Sequence, residues 1–164
     1  MSASAGQFTE ELGELHDGSI SLFVTLPVFR TLLVSERSAA ALTRFEAIVG
    51  EHLAHLDGIV GSILVRRDRT DGDLTKSLFR SLTTISVHPP SQARDDAILG
   101  VLEQAQLFLM GSCGFALRFA RQAGVDRSVQ VLEASMNRLG SLTSCVPVGT
   151  HPDRHKYESV NAVA

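Results

Sequence analysis

The chain has 164 residues, enough for one compact domain that buries roughly 70% of its unfolded surface. Eighteen acidic side chains against fifteen basic ones leave a formal charge of -3. That balance and the lack of any Lys/Arg run exclude the basic footprint of a nucleic-acid binder. Hydrophobic residues make up 44% with no Trp, one Tyr and eight Phe, so the core must come mainly from Leu, Val, Ile and Ala.

Residues 1–7 are small and polar, without the basic flank and apolar core of a signal peptide, and are expected to be a flexible N-terminus. The first periodic segment spans Phe8 to Val34. Phe8, Leu12, Leu15, Leu22, Leu26 and Leu33 recur at helical spacing, with Ser19 on the same stripe. Pro27 lies inside it and should kink the helix. A second segment runs from Ser35 to Arg67 on Leu42, Phe45, Val49, Leu56, Ile59 and Ile63, with His52 filling one slot of the stripe. Ser35 or Ser38 can cap its start, and Arg66, Arg67 and Arg69 suit the negative pole at its end.

Residues 68–73 are expected to form a polar turn, after which Leu74, Leu78, Leu82 and Ile85 predict a short helix ending before His88-Pro89-Pro90. The third long segment, Ala93 to Gln122, carries Asp95 and Asp96 in its first turn, where the helix dipole favours negative charge. Its stripe is Ile98, Leu102, Ala105, Leu109, Ala116 and Phe119, widened by Val101, Phe108 and Phe115. It is apolar nearly all round from Leu107 to Leu117, which predicts the most buried helix of the chain. Gly111 and Gly114 are poor helix formers there, and a close helix contact, internal or across a dimer, would explain them.

Gly124 should stop that helix. The last one is expected from Asp126 to Val146 on Val125, Val129, Leu132, Met136, Leu139, Leu142 and Val146. Residues 147–164 lose the period and are expected to be a flexible tail. The longest apolar run, Leu107 to Leu117, falls short of the roughly 20 residues a membrane span needs, so a soluble cytoplasmic protein without membrane association is expected. Four long amphipathic segments without strand-like alternation predict an all-α antiparallel four-helix bundle over residues 8–146. A short extra helix would lie in the connection between helices two and three.

Order and spacing of several motifs carry a resemblance. Phe8-Thr9-Glu10-Glu11-Leu12-Gly13-Glu14-Leu15-His16-Asp17, followed by Leu26-Pro27, resembles the opening of the bacterial YciE/YciF stress proteins, which are ferritin-like. Glu51-His52-Leu53, Asp96-Ala97-Ile98-Leu99, Ala120-Arg121-Gln122-Ala123-Gly124 and Val131-Leu132-Glu133 are similar to motifs on their second, third and fourth helices. The resemblance implies a ferritin-like fold, a homodimer and a link to stress response.

It also implies the positions of a di-iron or di-manganese carboxylate site, and there this chain departs. Ser19 stands where the family has a Glu on helix one, and His55 where it has one on helix two. Ala105-Gln106-Leu107-Phe108-Leu109 removes two acids from helix three, and Arg138-Leu139 replaces an acid pair on helix four. Clustered carboxylates are what neutralise two multivalent cations, so a degenerate metal site is expected.

The polar residues that remain admit two readings. His52 and His55, one turn apart, could join His16, Gln106 and Glu103 in a mononuclear Zn, Fe or Mn site. The plainer reading makes His52 a neutral core histidine bonded to Ser19 or Gln106. Cys113 and Cys145 lack CxxC spacing and lie in apolar stretches, so buried, unreactive thiols are expected. Ser112 and Cys113 as a nucleophile lack a His or acid at a recognisable spacing. His151 and His155 would suit Zn only on a helix, and the tail is not expected to be one.

The functional expectation is a non-catalytic ferritin-like protein that acts by association and needs no cofactor. The alternative is a redox or iron-handling protein with an altered histidine site. A third option is a small-molecule binder using apolar space vacated by the metals.

Overall fold

The computed structural model describes residues 3–63 and 72–144. They form α1 (Ala3–Leu32), α2 (Glu36–Val60), α3 (Asp73–Ser86), α4 (Gln92–Ala123) and α5 (Asp126–Gly140), then a 3₁₀ turn at Ser141–Ser144. Every element among the described residues is helical, as the periodicity predicts.

The boundaries depart from expectation where local chemistry overrides the apolar period. α1 begins at Ala3 and runs through Pro27, which sits on its exposed side, where solvent can replace a lost backbone bond. α2 stops at Val60 instead of Arg67: the Gly61 N–H turns back to Asp57 and Ile59 carbonyls, and residues 64–71 lie outside the described chain. Its start follows the capping expectation, with Ser35 Oγ accepting the Ser38 N–H at 3.1 Å. α4 ends as predicted at Gly124, whose left-handed φ of 68° lets the Val125 N–H reach back to the Ala120 carbonyl. α5 ends at Gly140, short of Val146; the buried Leu142 belongs to the 3₁₀ turn. The expected tail, with His151 and His155, lies outside the described residues, as does Cys145.

Four helices close a ring in which α1 touches α2 and α4, and α5 touches α2 and α4. α1 and α2 run antiparallel, since Arg30 pairs with Glu46 near their junction while His16 meets Asp57 far from it. Gly50 gives Phe23 room between them: a Cβ there would lie 3.3 Å from the Phe23 ring. α4 and α5 are also antiparallel, with Gln106 at Leu139 and Cys113 at Leu132. The segment between the two pairs carries α3, which packs along α1 and α4 through Leu74, Leu78 and Ile85.

The start of α4 is tied to the α1–α2 corner. Asp95 is fully buried and its carboxylate accepts the Val34 and Ser35 N–H groups at 3.0 and 2.8 Å. Arg94 donates to the carbonyls of Leu32 and His88. Asp95 was expected to act on the dipole of its own helix; it mainly satisfies the backbone of another corner. Because α4 starts where α1 finishes, it runs antiparallel to α1 and parallel to α2.

α4 has twelve buried residues, more than any other helix among the described residues, in line with the expectation. Its apolar girdle is nevertheless not buried all round: Leu107, Phe108 and Phe115 are 63%, 40% and 56% exposed. Among the described residues a Cβ at Gly111 or Gly114 would meet nothing within 4 Å, so no described helix of this chain packs closely there, and a contact across a dimer is the expectation left for the pair. By length and composition α4 could also cross a bilayer, yet Ile98, Leu102, Leu109, Cys113 and Ala116 face the core.

Burial raises the Asp95 carboxyl pKa, but the Val34 and Ser35 N–H groups and the Ser35 and Ser38 hydroxyls bring it below 3.8 overall. A carboxylate with a lowered folded pKa stabilises the fold above its unfolded pKa and loses that contribution as pH falls. Asp95→Ala should therefore destabilise the protein by about 1–3 kcal/mol in urea titration at pH 7. The deficit relative to wild type should shrink as pH is lowered below about 4.

Candidate functional site

Each helix of the ring buries a polar side chain near its middle: Ser19 on α1, His52 on α2, Gln106 on α4 and Ser135 on α5. All four sit on the apolar stripes of their helices and must find partners without water. Ser19 turns back on its own helix, donating to the Leu15 carbonyl at 2.7 Å. Gln106 donates its amide to the Leu139 carbonyl at 2.8 Å. Neither bonds His52, contrary to expectation. The His52 Nδ1 instead lies 2.5 Å from Ser135 Oγ, across the α2–α5 interface.

His52 Nε2 is buried without a hydrogen-bond partner among the described residues. Burial, reinforced by nearby His55 and His16, pushes the imidazole pKa down from 6.5 to about 4, so the ring is neutral at pH 7. A neutral ring has two tautomers. If Nδ1 carries the proton and donates to Ser135, Nε2 keeps a bare lone pair; the reverse tautomer leaves an orphan N–H.

The other residues proposed around His52 do not converge on it. His55 and Glu103 are exposed and point away from the core. His16 is buried, but its Nε2 engages Asp57 Oδ1 at 2.7 Å. Among the positions that the resemblance assigns to metal ligands, Ser19, Gln106, Leu109 and Leu139 face the interior, whereas His55 and Arg138 face outward. Arg138 forms a two-armed contact with Glu51 at 2.6 and 3.1 Å, latching α5 to α2. Among the described residues, the inward donors at the middle of the ring are thus one imidazole nitrogen, a committed amide and two hydroxyls, with the buried His16 engaged by Asp57. A dinuclear carboxylate centre does not fit that set.

Cys113 is fully buried, its thiol 3.5 Å from the Leu132 carbonyl, and burial pushes its pKa up to about 12. A thiol so rarely ionised is a poor nucleophile, and Ser112 beside it is only half-buried. A shallow pocket of about 240 Å³ lies between α3 and α4, lined by Leu74, Leu78, Val101, Ala105 and Phe108. Another is lined by Ile85, His88, Pro89 and Arg94. Neither lies at His52, so the space expected after loss of metals is not where these pockets are.

Sequence reasoning found His52 and Ser19 as polar breaks in apolar stripes. It missed Ser135 by assigning Met136 to the stripe, although Ser135 lies three residues after Leu132 and four before Leu139. Nothing local announces that Arg94 and Asp95 reach the α1–α2 corner.

The folded-state pKa of His52 lies below its unfolded value, so stability is fully present above about pH 6.5 and declines as pH falls toward 4. His52→Leu should flatten that decline, by up to about 3 kcal/mol across the window, in urea titrations from pH 4 to 7.5. In a Cys145→Ser background, Cys113 should react with a thiol reagent such as dithionitrobenzoate no faster than the protein unfolds. Burst labelling of the native protein would contradict its burial.

No family model matches the sequence, and no curated protein matches it.

Proposed function

We infer that this chain is a ferritin-like four-helix bundle that has given up its dinuclear metal centre and works, without catalysis of its own, by associating with other protein surfaces. The carrying observation is what fills the axis. Leu109 and Leu139 are fully buried where the resemblance implies carboxylates, and Ser19 and Gln106 spend their hydrogen bonds on backbone carbonyls. Replacing an ionic cluster by apolar side chains removes a large desolvation penalty, so the scaffold can persist without its metals. The ring of α1, α2, α5 and α4, with one long crossing that carries α3, supports the ferritin-like reading. Motifs shared with the YciE/YciF proteins favour a stress-related setting in a bacterial cytoplasm and self-association. Fold alone assigns no activity.

A second reading, a mononuclear Fe, Mn or Zn site rebuilt on His52, draws on its neutral imidazole and unpartnered Nε2. Its further ligands would have to come from groups that now point elsewhere. Metal analysis of protein purified without a polyhistidine tag separates the two readings. The bundle reading expects substoichiometric Fe, Mn and Zn, unchanged in His52→Ala. One metal per chain, lost in that variant, would overturn it in favour of the second.

A further inference from the structure

We propose that the exposed face of α4 is the contact surface for a second copy of this chain, paired antiparallel about a two-fold axis that passes beside Gly111. This rests on the association reading and its self-association, and adds the face and the register through which the copies meet. The first observation is an unexplained pair of glycines. Gly111 and Gly114 weaken a long helix, yet among the described residues nothing comes near the space a Cβ would fill. The second is their surroundings. Leu107, Phe108 and Phe115 flank Gly111 on the solvent side, forming a contiguous apolar strip on a helix whose opposite side is core.

The third observation is that this strip complements itself. Leu107 and Phe115 lie four residues on either side of Gly111, and Phe108 and Gly114 three on either side. Antiparallel pairing about Gly111 sets Leu107 against the small Gly114 of the other copy. On the side nearer α3, Phe108 and Phe115 of opposite copies meet, beside the pocket lined by Val101, Leu74 and Phe108 itself. A two-fold contact requires this reciprocity: if one residue meets another, the second must meet the first. Glycine on the axis lets the two backbones approach.

Charge agrees with the same register. Glu103 and Arg118 are exposed on this face, lie eight and seven residues from Gly111 in opposite directions, and make no ion pair among the described residues. The pairing brings each Glu103 to the other copy's Arg118, twice by symmetry. A parallel arrangement would set Glu103 against Glu103 and Arg118 against Arg118. A lipid surface would cover the apolar strip but has no use for a glutamate at its edge or for glycines at its centre.

Sedimentation of the full chain over a concentration series tests the proposal, with circular dichroism as the check on folding. A reversible dimer is expected, weakened roughly tenfold or more by Phe115→Glu or Leu107→Glu, both exposed sites, with helicity kept. Gly111→Leu should weaken the dimer while leaving the melting temperature of the monomer equal or higher. Arg118→Glu and Glu103→Arg should each weaken it a few-fold, and the double reversal should restore it. In a Cys145→Ser background, Gly111→Cys should form a disulfide-linked dimer under mild oxidation, whereas Gly100→Cys, three turns away on the same side, should not. A monomer at every concentration overturns the proposal, as does a dimer indifferent to Phe115→Glu. So does a monomer that binds phosphatidylcholine–phosphatidylglycerol vesicles through Phe115. None of these results touches the metal measurement, so the two readings fail separately.

Discussion

A charge placed among the buried leucines of α4 and α5 would lose its water, and that cost governs every polar group in the middle of this protein. Ser19, Gln106 and Ser135 are uncharged, and His52 is held neutral by the same burial. Full charges remain where solvent or several hydrogen-bonding partners support them. Arg138 and Glu51 pair on the outside, and Arg121 with Glu133 does the same between α4 and α5. Asp95 and Arg94 are buried exceptions: Asp95 is matched by two backbone N–H groups at a helix corner, and Arg94 donates to two carbonyls while its Nε has no partner among the described residues. The inner surface thus tolerates hydrogen bonding but opposes ionisation, which bears equally on stability and on the chemistry the core could host.

Most of the helical architecture was legible because burial follows period. The stripes through Leu12, Leu15 and Leu22, or through Leu42, Phe45 and Val49, are core in the structure as in the sequence pattern. The errors came where period and chemistry compete. The apolar period continued past Val60 and past Gly140, but backbone turns ended both helices. α4 is apolar nearly all round only from Leu107 to Leu117, and even there the neighbouring helices cover just part of it. Composition cannot reveal which part is left over.

The interior polar groups were harder to read. A serine or histidine on an apolar stripe announces that something must satisfy it, but its partner is a matter of three-dimensional register. His52 meets Ser135, which is 83 positions away, and no spacing rule connects them. His55 shows the converse hazard. It is close to His52 in sequence, but the turn of the helix carries it to solvent. Proximity along a helix is evidence for a shared site only when both positions lie on one face.

The tie between Asp95 and the α1–α2 corner has a kinetic consequence. Each antiparallel pair is joined by a short link and can zip up from neighbouring residues, whereas the Asp95 contacts close a loop of 60 to 61 residues. Loop-closure entropy makes such a contact slow to find and encourages it to form after the local hairpins. If the contact forms only after the rate-limiting barrier, it acts as a latch: it leaves the speed of assembly nearly unchanged and lengthens the lifetime of the finished molecule. In that order of events the buried carboxylate confers persistence more than rapid folding.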